Sequence, residues 1–82
     1  MSREDILVDA RGHRCPVPTL RLRRALETAP DGVAVRLLAD DPLARIDVPH
    51  FAAGAGFVVL DRSESDGVLT FVVGRPEPEG AS

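Results

Sequence analysis

Four short apolar runs alternate with two segments of helical spacing, and this order restricts the fold of the 82-residue chain more than any other feature. The runs are rich in β-branched residues, which predicts strands at residues 6–9, 33–39, 57–63 and 68–74. After the first run, a helix begins at Val17 or Pro18. Its apolar residues recur at the spacing of one helix face: Leu22, Ala25, Leu26 and Ala29. The order β-α-β-α-β-β predicts a two-layer α/β sandwich, in which two helices cover one face of a four-stranded mixed sheet.

The second helical segment contains a conflicting signal. The stretch "DDP" at 40–42 is typical of a helix start, with Asp41 as the N-cap. Pro49 argues against a continuous helix, because an internal proline removes a hydrogen bond and clashes with the preceding turn. We therefore predict a single turn over 42–46 and a separate helix over 47–55. The side chains predicted to be buried on that helix are Phe51, Ala52 and Ala55.

The chain length and composition predict one domain over residues 1–75, followed by a disordered polar tail at 76–82. The stretch "ESDG" predicts a hairpin between the last two strands. No apolar run is long enough to span a membrane, and the N-terminus does not resemble a secretory signal. A single cysteine cannot form an internal disulfide, so we expect a reducing, cytoplasmic location. The net charge of −3 argues against direct nucleic-acid binding.

The only cysteine, Cys15, lies in the most basic stretch of the chain. Residues 11–24 contain five arginines and no acidic residue. Because Cys15 is predicted just before a helix, free N–H groups and the helix dipole favour its thiolate by roughly 0.3–1 kcal/mol. Nearby cations act in the same direction. Pro16 and Pro18 bias Cys15 and Val17 towards extended angles, which predicts an exposed, reactive thiol. The alternative is a buried cysteine that acts as a small apolar residue.

Several neighbours of the cysteine are candidates for positioning it. Gly12 can adopt a positive φ in the loop, and Asp9 can cap that loop by accepting backbone N–H groups. His13 could help to deprotonate the thiol or could be an ordinary exposed imidazole. Arg14 is the adjacent cation. Each of these residues therefore has a structural and a chemical interpretation.

More distant polar residues also have two interpretations. Arg23 and Arg24 form either a solvated helix face or a contact for a partner. The same choice, between helix capping and an acidic contact, applies to Asp40, Asp41 and Asp47. His13 and Cys15 with the distant His50 do not match the four-ligand spacing of a zinc site, so we predict no metal.

The residues around Cys15 resemble the signature of the TusA-like (SirA-like) sulfurtransferase family. That signature is Asp, two residues, Gly, two residues, then Cys-Pro-x-Pro at the start of a helix. Here its positions hold Asp9, Gly12, Cys15, Pro16 and Pro18. Further matches are the arginine pair at 23–24, "ADDP" at 39–42, "DVP" at 47–49 and Gly56. The resemblance covers residues 6–75.

The resemblance implies a small α/β sandwich, similar to the C-terminal domain of translation initiation factor three. It also implies that Cys15 receives a sulfane sulfur as a persulfide from a donor protein, a cysteine desulfurase or a rhodanese-like enzyme. Cys15 then passes the sulfur to an acceptor protein, in tRNA thiolation, molybdenum-cofactor or sulfur-oxidation pathways, without a cofactor. The chain departs from the family pattern at His13, Val17 and Gly74.

Three functional hypotheses follow from these observations. The first is a sulfur-relay protein that acts through Cys15. The second is a non-catalytic interaction module that uses the open sheet face or the arginine-rich helix. The third is a single-cysteine redox sensor, which needs only a thiol of low pKa.

Overall fold

A computed structural model describes residues 5–14, 16–30 and 32–76 of the chain. The elements appear in the predicted order, β-α-β-α-β-β. They are β1 (Ile6–Asp9), α1 (Val17–Thr28), β2 (Val35–Ala39), α2 (Ala44–Ala55), β3 (Val58–Ser65) and β4 (Val68–Gly74). Of the predicted tail at 76–82, residues 77–82 lie outside the described residues.

The four strands form one mixed sheet in the order β1-β2-β4-β3. β1 and β2 are parallel, with Val8 opposite Leu37, and the other two pairs are antiparallel. The carboxyl ends of β1 and β2 therefore meet at the same end of the sheet. Loops that follow these two strands are neighbours in space although they are far apart in sequence.

Both helices pack on one face of the sheet, as predicted. Alternate residues of β2 and β4 point to that face and are buried, because a strand places successive side chains on opposite sides. α1 contributes Leu22 and Leu26 to the same cluster, and α2 contributes Val48 and Ala52. The largest side chain of the core is Phe71, which is 2% exposed. The predicted fold class is confirmed.

The predicted break in the second helix is wrong, because α2 runs without interruption through Pro49. Pro49 lacks the N–H that would bond to the carbonyl of Arg45, and its ring crowds that carbonyl, so the proline weakens the helix there without ending it. Burial of Val48 and Ala52 on one side holds the helix together across the proline. Asp41 is not the N-cap, which is Leu43, but its Oδ1 accepts the Leu43 N–H at 3.1 Å.

The predicted buried side of α2 is only partly correct. Ala52 is 2% exposed, whereas Phe51 is half-buried and Ala55 is exposed. Because the helix starts at Ala44 rather than at 47, its core stripe runs through Ala44, Val48 and Ala52.

The hairpin between β3 and β4 turns at Asp66 and Gly67, both of which have positive φ. This is the two-residue turn whose twist matches the flanking strands, so the strands continue to Ser65 and from Val68. Along β3, Val59 pairs with Val73 but Asp61 pairs with Val72, so Leu60 is the extra residue of a bulge. A Cβ on Gly74 would lie 3.1 Å from Cδ1 of Leu60.

Candidate functional site

Residues 10–14, which we call the glycine loop, connect the end of β1 to the residues that precede α1. Cys15 lies outside the described residues, so the predicted exposure of its thiol stays a prediction. Its neighbours Arg14 and Pro16 are both exposed. The described residues that precede and follow Cys15 in the sequence therefore lie at the surface.

The loop begins as a tight turn that is tied to the sheet. The Ala10 N–H donates to the Leu38 carbonyl at 2.8 Å, and the His13 N–H donates to the Ala10 carbonyl at 3.2 Å. Gly12 has a φ of 84°, which a type II turn requires at its third position. A Cβ on Gly12 would meet no atom within 4 Å. Glycine is thus needed here for its backbone angle and not for lack of space.

Asp9, the last residue of β1, binds Arg11. Its Oδ1 accepts the Arg11 N–H at 3.2 Å and Nε at 2.9 Å, and its Oδ2 accepts Nη2 at 2.7 Å. These hydrogen bonds lower the pKa of the Asp9 carboxyl to about 2, and the same contact raises the pKa of Arg11. Both groups are therefore charged at neutral pH, and Asp9 also bonds to the loop backbone.

Two residues that the sequence analysis did not assign to the site hold this region together. The Gly12 N–H donates to both carboxylate oxygens of Asp40, at 3.0 and 3.1 Å, across 28 residues of sequence. Arg21 Nη1 of α1 donates to the Asp9 carbonyl at 2.7 Å. A signal for Asp40 was present in the sequence, since it directly follows a predicted strand parallel to β1.

His13 and Arg14 are exposed and line an open groove of about 630 Å³ beside the start of α2. The residues that line this groove are Gly12, His13, Arg14, Asp40, Asp41, Pro42 and Leu43. The groove joins the glycine loop to the loop after β2. Both walls carry charged or polar groups, so the surface next to the cysteine is polar on this side.

Arg23 and Arg24 are not linked to the glycine loop by any hydrogen bond between described residues. Arg23 Nε bonds to Glu27 at 3.2 Å and lies at a different groove, between the two helices. Arg24 is exposed and forms no ion pair within the described part of the chain. The sequence analysis named Arg23 and Arg24 as candidate contacts of the cysteine or of a partner. No described hydrogen bond joins either arginine to the glycine loop.

The two prolines of the motif occupy the start of α1. Pro16 is at the N-cap position, and the Pro18 side chain is buried in the core. The prediction that Val17 is extended is wrong, because Val17 is the first residue of the helix. Its N–H donates to the Arg14 carbonyl at 2.9 Å, and the Leu20 N–H reaches Pro16 at 3.0 Å. These turn bonds outweigh the bias that Pro18 imposes on the preceding residue.

Large apolar side chains are exposed in or next to the first turns of both helices, at the end of the sheet that carries the glycine loop. They are Val17 (38% exposed), Leu20 (58%), Leu43 (55%) and Ile46 (69%). The first turn of α1 contains no acidic residue. This end of the molecule therefore combines exposed apolar groups with the cation of Arg14.

Within residues 5–14, 16–30 and 32–76, no group of three or more His, Cys, Asp or Glu side chains is placed to hold a metal ion. None of the helices in those ranges is long and apolar enough to cross a membrane.

Comparison with known proteins identifies the family. The family model described as "Sulfurtransferase TusA" matches residues 6–75. A candidate sulfur carrier protein of Neisseria meningitidis serogroup A is 42% identical over 66 residues, which cover 80% of this chain and 89% of that protein. The sulfur carrier protein TusA of Pseudomonas putida is 30% identical over 67 residues, covering 82% of this chain and 84% of that protein.

A solved structure supports the same assignment. The crystal structure of a SirA-like protein from Desulfitobacterium hafniense superimposes with a TM-score of 0.73 at 33% identity. The match covers 83% of this chain and 93% of that one. The chain therefore belongs to the TusA family of sulfurtransferases and sulfur carriers.

Proposed function

We propose that this protein relays sulfur between two proteins as a persulfide on Cys15. The observation that carries the proposal is that the only cysteine of a TusA-family chain lies between the exposed residues Arg14 and Pro16, directly before α1. A sulfur carrier needs one thiol that a partner can reach. Cys15 is the only group in the chain that can serve.

The chemistry consists of two balanced exchange steps. The Cys15 thiolate attacks the terminal sulfur of a donor persulfide, so that an S–S bond forms on Cys15 while the donor S–S bond breaks and the donor cysteine leaves as a thiolate. In the second step an acceptor thiolate attacks the terminal sulfur on Cys15, and Cys15 leaves as a thiolate. Each step moves one neutral sulfur atom, so neither needs an external oxidant, reductant or cofactor.

Arg14 and the start of α1 favour the anions of both steps. Arg14 is exposed, and within the described residues it forms no ion pair. The first turn of α1 carries no acid that would oppose a thiolate or a persulfide anion. Roughly 0.3–1 kcal/mol of stabilisation is expected from a helix N-terminus at an exposed site.

The exposed apolar residues support a protein rather than a small molecule as donor and acceptor. Leu20 and Ile46 are 58% and 69% exposed in or near the first turns of the two helices. Apolar groups that flank a reactive loop suit the central part of a transient protein interface. We infer that the donor is a cysteine desulfurase or a rhodanese-like protein, and that the acceptor serves tRNA thiolation, molybdenum-cofactor synthesis or sulfur oxidation.

Intact-mass measurement after treatment with sodium polysulfide tests the proposal. The wild-type protein should gain about 32 Da, the mass of one persulfide sulfur, and dithiothreitol should remove it. The Cys15→Ser variant is the matched control and should gain nothing. A wild-type protein that stays at its own mass, or a variant that gains the same mass, contradicts the proposal.

A further inference from the structure

Asp40 contacts the backbone that leads into Cys15, although it belongs to another loop. It directly follows β2, whose last residue, Ala39, is fully buried. Its two carboxylate oxygens accept the Gly12 N–H at 3.0 and 3.1 Å. A carboxylate at the end of a buried strand is therefore a fixed point from which the exposed glycine loop is held.

The hydrogen bond of Asp40 acts where the ladder between β1 and β2 has ended. The last bond of that ladder, from Ala10 to Leu38, lies two residues before Gly12. The bond from Arg21 of α1 reaches the Asp9 carbonyl, which is three residues before Gly12. Asp40 is thus the described side chain that reaches furthest along the loop towards Cys15.

The charge of Asp40 has the wrong sign to activate a thiol. A carboxylate near a cysteine opposes formation of the thiolate, because like charges repel. If Asp40 acted through its charge alone, its removal would make the thiol more acidic. If it acts by holding the loop, its removal loosens the backbone that leads into Cys15, so the favourable effect of the α1 N-terminus and of Arg14 on the thiolate weakens, and the thiol becomes less acidic and slower. The two roles therefore predict shifts of opposite sign.

We propose that Asp40 is a positioning residue for Cys15: its carboxylate holds the Gly12 N–H, and this bond fixes the direction in which the loop enters the cysteine and α1. This proposal rests on the function proposed above, because positioning Cys15 serves sulfur transfer only if Cys15 carries the sulfur. Asp40 does not touch the transferred sulfur and acts only through the backbone.

The test measures the rate of Cys15 alkylation by iodoacetamide as a function of pH, together with hydrogen exchange of the Gly12 amide by NMR. Four chains are compared: wild type, Asp40→Ala, Asp40→Asn and Asp61→Asn. Asp40→Asn retains an oxygen that can accept the Gly12 N–H but removes the charge. Asp61→Asn makes the same chemical change on exposed β3, three strands away from β1.

We expect Asp40→Ala to speed Gly12 amide exchange by at least about tenfold, because a hydrogen bond to a charged acceptor is lost. Its alkylation midpoint should move to higher pH and its rate at pH 7 should fall several-fold. Asp40→Asn should keep Gly12 exchange close to wild type, and its alkylation midpoint should not rise, because it keeps an acceptor and loses only the repelling charge. Asp61→Asn should change neither measurement. A midpoint that falls in both Asp40 variants, or unchanged exchange and alkylation in Asp40→Ala, overturns the proposal.

One further variant and the choice of probes keep the result decisive. Asp40→Gln displaces the acceptor by one methylene and should behave as Asp40→Ala does, so it replaces that variant if thermal unfolding shows Asp40→Ala to be misfolded. Neither measurement uses a sulfur donor. Failure of wild-type Cys15 to take up sulfur would therefore contradict the proposed function while leaving the role of Asp40 to be decided by exchange and alkylation.

Discussion

The glycine loop and the hairpin turn lie at the same end of the sheet, contain a glycine in the same kind of backbone conformation, and are held in different ways. Gly12 and Gly67 have φ values of 84° and 79°, and a Cβ on either would meet no atom within 4 Å. The hairpin turn is held by the strands on both sides of it, beginning with the pair Ser65 and Val68. The glycine loop is held by Asp40, a side chain 28 residues away.

This difference means that the hairpin turn contributes mainly to the stability of the fold, and the glycine loop mainly to the site around Cys15. A turn between paired strands is held by the whole ladder, so a change there is felt by the core. Beyond Ala10 the glycine loop is held mainly by two exposed carboxylates, Asp9 on the Arg11 N–H and Asp40 on the Gly12 N–H, so it can loosen while the sheet stays intact. The molecule therefore has one turn that matters for folding and one that is free to serve chemistry, and four predictions test this division.

The largest effect is expected when the core beneath the hairpin is removed. Phe71 of β4 is 2% exposed and pairs with Leu37 and Arg62. Phe71→Ala should lower the free energy of unfolding by about 3–5 kcal/mol, measured by urea denaturation. Thr70→Ala changes the neighbouring half-buried residue on the opposite face and should cost about 1 kcal/mol or less. A loss below about 1 kcal/mol for Phe71→Ala would show that the ladder does not depend on this core.

A smaller effect is expected from alanine in the two turns. An L-residue forced into this left-handed region costs about 1–2 kcal/mol. Gly67→Ala should lower the free energy of unfolding by that amount, whereas Gly12→Ala should lower it less and instead slow alkylation of Cys15. Gly67→Asn is the control, because asparagine tolerates positive φ better than alanine does. A Gly12→Ala variant that is the less stable of the two would reverse the comparison.

A still smaller effect is expected from the charged contact between the hairpin and α2. Both guanidinium nitrogens Nε and Nη2 of Arg45 bind the Glu64 carboxylate, and the Nε bond is 3.1 Å long. The pair is exposed to solvent, so Glu64→Gln should reduce the free energy of unfolding by at most about 1 kcal/mol, and less at high salt. Glu27→Gln, which breaks the exposed pair with Arg23, serves as the matched comparison. A cost of several kcal/mol would mean that the hairpin is held by charge rather than by its ladder.

The smallest effect is expected in the pH dependence of the free energy of unfolding, through Asp9 beside the glycine loop. The pKa of the Asp9 carboxyl is lowered to about 2 by its hydrogen bonds to Arg11. A lowered folded-state pKa stabilises the fold above the unfolded pKa of about 4, and this contribution is lost as the pH falls from about 4 to about 2. Wild type should therefore lose more stability across that window than Asp9→Asn does. Carbon-13 NMR titration of Asp9 with a midpoint near 4 would contradict the lowered pKa.

Local signals were sufficient for much of the fold. The Asp-Gly pair predicts the hairpin because a two-residue turn depends on residues adjacent in sequence. The apolar stripe that contains Leu22 and Leu26 predicts α1 and its buried face for the same reason. The continuity of α2 through Pro49 could not be read locally, because it depends on burial of Val48 and Ala52 against strands far away in sequence.

The residues of the candidate site also fall into those that local sequence predicts and those that only the fold brings together. Asp9, Gly12, Pro16 and Pro18 were recognised because they surround Cys15 within ten residues. The roles of Asp40 and Arg21 required the parallel pairing of β1 and β2, which places the ends of two distant strands side by side. Val17 was assigned wrongly because the rule for residues before proline ignores the turn bonds that start a helix.

The bulge in β3 also limits which side chains position 74 can take. Leu60, the extra residue of the bulge, covers the place where Gly74 has no side chain, and a Cβ there would come within 3.1 Å of it. A Cβ at position 74 would require the Leu60 side chain, which is 51% exposed, to shift by a few tenths of an ångström. Position 74 should therefore take a side chain more easily once position 60 is smaller, so the cost of Gly74→Ala should fall when Leu60→Ala accompanies it.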